Sequence, residues 1–93
     1  MKITIWKLDY PWLEGTIEGY RFQAAVYNEP SEYGINEGRI SKLMVWDEAQ
    51  RQQYQNIFRA ALMNYDRGWD NKPKSEHKAM INDLISYLEN LPV

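Results

Sequence analysis

The sequence predicts an α+β fold: an antiparallel β-meander of three to four strands followed by two helices packed on one face. Three observations carry this reading. Residues 2 to 8, KITIWKL, and 39 to 46, RISKLMVW, are rich in β-branched and aromatic residues, the composition of strands. Residues 20 to 27 alternate with a period of two, Tyr20, Phe22, Ala24 and Val26 on one side and Arg21, Gln23, Ala25 and Tyr27 on the other, so one face is dry. After Asp47 the apolar residues change to helical spacing.

The elements follow in order. DYPW interrupts the first strand, because Pro11 cannot donate to a ladder. Glu18-Gly19 marks a tight turn between residues 13 to 17 and 20 to 27, with the glycine supplying a positive φ. Residues 39 to 46 form a further strand, paired antiparallel with 20 to 27 across the loop 28 to 38. Its apolar residues fall on both sides, which leaves its phase open. Asp47 caps a helix, with Gln50 resembling the second half of a capping box. Tyr54, Ile57, Phe58, Ala61, Leu62 and Tyr65 make its buried stripe, and Gly68 its C-terminal cap. After the connector WDNKPK, Ser75 caps a second helix with the stripe Met80, Ile81, Leu84, Ile85 and Leu88, ending before Pro92.

A chain of 93 residues makes one small domain, residues 1 to 93, so a function must sit on that core or on an assembly of copies. With 44% hydrophobic and 26% charged residues the chain is globular, and at 14% aromatic it needs core or contact surface for its rings. There is no cysteine, which excludes disulfides and thiolate metal sites and makes a cytoplasmic location the expectation. No apolar run reaches membrane-spanning length, and charges break up the first twelve residues where a signal peptide needs an apolar stretch, so the mature chain is expected to begin at Met1. The net charge of −2 hides an asymmetry: residues 9 to 37 carry six acids (Asp9, Glu14, Glu18, Glu29, Glu32, Glu37) against Arg21 alone. The rest is nearly balanced, with a small excess of bases in NKPKSEHK, and no continuous phosphate-binding stripe argues for direct nucleic-acid binding.

Catalytic chemistry finds little support. The only imidazole, His77, stands between Glu76 and Lys78 in a charged stretch, without a nucleophile placed beside it. None of GTIEG, GINEG or RGW has phosphate-loop spacing, and the acids are too scattered to mark a metal site or a hydrolytic carboxylate pair. No enzyme activity and no cofactor is expected. Two stretches hold more information. The loop NEPSEYGINEG is longer than a hairpin requires. One reading makes it a structured bend in which Gly34 and Gly38 take positive φ and Tyr33 and Ile35 pin it to the sheet. The other makes it a recognition loop in which Glu29, Glu32, Tyr33 and Glu37 meet a basic partner. NYDRGWD, residues 64 to 70, reads either as a helix cap, with Trp69 folded under the helix end and Asp66 paired to a base, or as part of an anion site. In that site Arg39, Lys42 and Arg67 clamp the anion while Tyr65 or Trp69 stacks on a ring.

Trp12, Gly15, GYRF at 19 to 22, SEYGINEGRISKL at 31 to 43 and NYDRGWD at 64 to 70 together resemble the conserved blocks of a small, functionally uncharacterised family of phages and Firmicutes. They fall in two blocks, residues 12 to 43 and 64 to 70, that together cover about half the chain. The resemblance implies a phage or mobile-element setting and a single small domain, and supplies no catalytic residue. In that setting the first expectation is a stoichiometric inhibitor of a host defence system, similar in style to anti-CRISPR proteins, whose acidic segment competes for the basic groove of a host protein. The alternative is an oligomeric sponge for a nucleotide or other anionic small molecule. A structural or regulatory module without a ligand is the third.

Overall fold

The computed structural model describes residues 2–92. Six strands make a single antiparallel sheet in simple meander order: β1 (Ile3–Asp9), β2 (Trp12–Ile17), β3 (Tyr20–Val26), β4 (Ile40–Trp46), β5 (Ala61–Asp66) and β6 (Trp69–Asn71). Two short helices, α1 (Glu48–Tyr54) and α2 (Ile57–Ala60), connect β4 to β5, and α3 (Lys78–Glu89) closes the chain. The class is α+β as the sequence predicts, but with two more strands than the larger number expected. The first helical segment interrupts the meander instead of following it.

The alternation in β3 sets the phase of the sheet. Phe22, Ala24 and Val26 are fully buried, and opposite them Leu13 and Ile17 of β2, Ile40, Leu43 and Val45 of β4 and Met63 and Tyr65 of β5 complete one dry face. α3 covers it with Met80, Ile81, Leu84 and Leu88, the stripe read from the sequence, and Ile85 is partly buried beside them. Glu18 (φ 51°) and Gly19 (φ 83°) form the expected tight turn, both in the left-handed region that matches the twist of the flanking strands.

The expected long helix after Asp47 does not form. Asp47 does cap α1, its carboxylate accepting from the N–H groups of Ala49 and Gln50 at 3.0 and 3.2 Å. Gln55 then turns left-handed (φ 55°), Asn56 caps the four-residue α2 through the Phe58 N–H, and Ala61 is already extended. The residues read as a helical stripe misled because a spacing of four is shared by a helix face and by alternate positions of a strand. Residues 61 to 66 take the second option. Met63 and Tyr65 face the core, Asn64 and Asp66 face away, and the free edge of β4 gains a partner through Lys42↔Asp66, Leu43↔Tyr65 and Met44↔Asn64. Phe58, expected inside, is 66% exposed.

Two caps are also reassigned. Gly68 ends no helix: it sits in the β5–β6 turn, where the left-handed residue is Arg67 (φ 56°) and the Asp66 N–H donates to the Gly68 carbonyl at 2.9 Å. Ser75 makes no side-chain cap; it opens a 3₁₀ turn, Ser75–His77, that leads into α3. Among the described residues no helix is long and apolar enough to cross a membrane.

Because α3 is the only helix on the dry face among the described residues, its stripe should carry much of the stability. Leu84→Ala, at a position with no exposed surface, is expected to cost about 2 to 5 kcal/mol in urea unfolding.

Candidate functional site

The meander puts the β1–β2, β3–β4 and β5–β6 connections at one end of the sheet and the β2–β3 turn, α1, α2 and the β6–α3 connector at the other. The first end holds both stretches singled out in the sequence. Its long loop is held by its own backbone: Ser31 N–H donates to Gly38 O (3.0 Å), Gly34 N–H to Ser31 O (3.1 Å) and Glu37 N–H to Gly34 O (2.9 Å). The glycines do not take the positive φ expected of them. Gly34 (φ −76°) and Gly38 (φ −98°) are extended, while Asn36 and Glu37 are left-handed. They are glycines for want of room, since a Cβ on Gly34 would strike the Gly38 carbonyl and one on Gly38 the Glu89 carboxylate. Ile35 pins the loop as expected, at 2% exposure, but the Tyr33 ring is outside; its backbone is fixed, the carbonyl by the Tyr65 hydroxyl at 2.8 Å and the N–H by the Ser31 hydroxyl at 3.2 Å.

Arg39 is committed to the fold. Its guanidinium donates to the carbonyls of Tyr27 (2.8 Å), Glu89 (2.7 Å) and Leu91 (2.9 Å), and its backbone N–H donates to the Glu89 carboxylate (2.9 and 3.1 Å). Of the other residues expected in an anion clamp, Tyr65 is buried and Trp69 packs edge-on against it at 5.2 Å. Lys42 lies on the opposite face of the sheet, 5.5 Å above the Trp12 ring, and reaches Asp66 at 3.7 Å. Arg67 also reaches Asp66, at 3.6 Å. The expected clamp of Arg39, Lys42 and Arg67 is therefore not assembled: two of the cations share a carboxylate and the third holds the helix end.

Residues from the two expected sets do meet in a cleft of about 450 Å³ lined by Tyr27, Glu29, Ser31, Tyr33, Ser41 and Arg67. Tyr10, from the β1–β2 turn, extends this surface: its ring meets Tyr27 edge-on at 6.1 Å and its hydroxyl bonds Asn28 at 3.3 Å. The acidic segment divides. Asp9, at the end of β1, and Glu29, Glu32 and Glu37 of the long loop lie at this end and form no ion pair among the described residues. Glu14 faces Lys7 at 3.5 Å in mid-strand, and Glu18 lies at the far end, a strand length of roughly 20 Å away.

On the face that α3 leaves open, Glu48 gathers a network that the sequence did not reveal. Its carboxylate accepts two bonds from Arg51 (2.6 and 2.7 Å) and one from the Trp46 indole (2.8 Å), with Arg21 at 3.4 Å. Arg21 in turn lies 5.4 Å from the Trp6 ring. The Arg51 hydrogen bonds, followed by that of Trp46, hold the Glu48 carboxyl down from 4.5 to about 2, and the same pairing raises Arg51. At the far end a second, strongly polar pocket gathers Arg59, Lys72, Lys74 and His77. Its only signal in the sequence is the short base excess of NKPKSEHK. Among the described residues no three of His, Asp or Glu stand together as a metal site.

A family model described as "Domain of unknown function (DUF7678)" matches residues 11–89, from the start of β2 to the end of α3 apart from Pro11 before it. The chain belongs to this family. The matched stretch contains both loop-end blocks and the Arg39–Glu89 contact, and of the six strands it leaves out β1 alone. No curated protein and no solved structure matches the chain significantly.

Two measurements check these assignments. Arg39→Ala should lower unfolding stability in urea by about 2 kcal/mol or more, the scale of charged hydrogen bonds lost from a part-buried site. For Glu48, a carboxyl depressed in the native state stabilises the fold above its unfolded value of 4.5, and that stabilisation is lost as the pH falls toward 2. The difference in melting temperature between the wild type and Glu48→Gln should accordingly be largest above pH 4.5 and shrink on acidification toward pH 2.

Proposed function

We propose that this member of the DUF7678 family acts by stoichiometric binding of a basic protein partner through the loop end of its sheet, without catalysis. The observation that carries the proposal is the composition of that end: four carboxylates without ion-pair partners among the described residues, interleaved with Tyr10, Tyr27 and Tyr33 at 52%, 42% and 54% exposure. Tyrosine rings offer large contact area at low entropic cost and are favoured anchors at interfaces. Carboxylates around them steer a positively charged surface into register. The backbone of the loop, closed on itself and fixed by Ile35 and by the Tyr33 carbonyl, keeps the rings from paying the cost of ordering on contact.

The partner that suits such a surface is a protein rich in arginine and lysine, as the nucleic-acid groove of an effector is. Joined to the phage setting implied by the sequence resemblance, this makes the protein an inhibitor of a host defence system that occupies the groove in place of nucleic acid, in the manner of anti-CRISPR proteins. The cytoplasm of the bacterial host is where it would work. The alternative of an anionic ligand held by Arg39, Lys42 and Arg67 loses its basis with the commitment of Arg39 to backbone carbonyls.

The test is direct mixing with a panel of RNA-guided effector nucleases at low salt, read by size-exclusion chromatography and by inhibition of cleavage. A complex is expected that weakens with added salt. Tyr33→Ala should weaken it by more than about 1 kcal/mol, and Glu29→Lys with Glu32→Lys should weaken it further. Failure to bind any member of the panel, or binding indifferent to these substitutions, defeats the proposal.

A further inference from the structure

The polar pocket at the opposite end of the sheet belongs to neither of the residue sets considered so far. It has a volume of about 280 Å³ and opens between the β4–β5 and β6–α3 connections. Three cations line it. Lys72 and Lys74 flank Pro73, and with Lys74 extended (φ −65°, ψ 158°) the two side chains at i and i+2 serve the same pocket. Arg59 comes from α2, its guanidinium 4.2 Å from the Tyr54 ring. None of the three forms an ion pair among the described residues.

Two carboxylates also line the pocket: Asp47 is bonded to the first N–H groups of α1, and Glu76 stands 3.8 Å from the His77 ring. The His77 ring itself is held edge-on to Tyr20 at 5.9 Å and forms one wall. Three cationic residues against two acids therefore line one small concave space in a protein whose net charge is −2.

We infer that this pocket binds a small phosphate monoester, with the phosphoryl group seated among Lys72, Lys74 and Arg59. A dianionic tetrahedral group needs several cationic donors around it, and a guanidinium with two ammonium groups supplies them. The volume lies at the lower limit of ligand pockets, about 300 Å³, which suits a sugar phosphate or the ribose phosphate part of a nucleotide. The amides of Gln50 and Asn71 on the lining match the hydroxyl groups of such a ligand. A nucleic-acid strand is a poorer fit, because it needs a track of cations continuing past the pocket, and Glu18 and Glu48 occupy the same end of the sheet. No residue of the loop end takes part, so this inference stands or falls separately from the partner-binding proposal.

The experiment is titration calorimetry and thermal unfolding of the full chain with inorganic phosphate, ribose 5-phosphate and adenosine monophosphate. Ribose, adenosine and sodium chloride at matched ionic strength are the controls. The phosphorylated probes at millimolar concentration are expected to raise the melting temperature, and the controls are not. The double substitution Lys72→Gln and Lys74→Gln should weaken binding at least about tenfold, as should Arg59→Gln, the loss expected for a charged hydrogen bond. Glu29→Gln with Glu32→Gln, at the other end, should leave it unchanged. All three cationic side chains sit on exposed residues, and circular dichroism verifies that the variants fold. No response to any phosphorylated probe overturns the inference, as does a response that survives the double substitution in a folded protein. Tighter binding of a single-stranded oligonucleotide than of any monoester also overturns it, by making the pocket part of a strand-binding surface.

Discussion

A six-stranded sheet with one helix to cover it depends on where that helix is fastened, and the fastening is the reciprocal contact of Arg39 with Glu89. Each residue bonds the other's main chain, the guanidinium to the Glu89 carbonyl and the carboxylate to the Arg39 N–H, and the remaining guanidinium donors reach Tyr27 and Leu91. Three parts of the chain are joined at once: the end of β3, the start of β4 and the end of α3. The Glu89 carbonyl at the end of α3 gains a donor, and the contact holds in place the helix that buries Leu84 and Leu88. The long loop is fixed by the same contact, since Gly38 fits only by leaving the Glu89 carboxylate its place.

With α3 spent on one face, the other is left to side chains that tolerate water. There the aromatic residues are paired with cations, Trp6 with Arg21 and Trp12 with Lys42, and the cations with carboxylates. The α1–α2 connection leans over part of this face: Glu48 binds the Trp46 indole, and Phe58 shares a cleft with Trp12, Met44 and Asn64. Such alternation of ring and charge leaves little net potential on the open face. Charges without ion-pair partners among the described residues stand where the strands end, Asp9, Glu29, Glu32 and Glu37 at the loop end and Arg59, Lys72 and Lys74, with Glu18, at the other.

How much of this was legible in the sequence depended on the range of the interaction. The turn at Glu18-Gly19, the dry face of β3 and the stripe of α3 rest on neighbours a few residues apart, and a period of two or of 3.6 exposes them. β4 has apolar residues on both sides because Trp46 is sheltered on the open face, which only the fold reveals. β5 was hidden by the coincidence of periods at a spacing of four, and β6 has too few residues for any period. Arg39 resisted reading for a different reason, its partners lying 50 and 52 positions away. Among the candidate residues, Glu29, Glu32, Tyr33 and Glu37 were singled out from loop composition alone, and the fold brings Glu29 and Tyr33 to one cleft. The pocket at the far end was missed because Arg59 and Lys72 are brought together by the meander.

The length of the strands sets how far apart the two charged ends stand. Strands of six or seven residues separate the acidic loops from the basic pocket by roughly 20 Å, more than twice the Debye length of about 8 Å at physiological ionic strength. Each end is thus electrically insulated from the other in the cell. If both ends bind as proposed, an anion at one would leave the attraction of the acidic loops at the other unchanged through charge, and any crosstalk would have to be mechanical, carried along the hydrogen-bonded strands themselves.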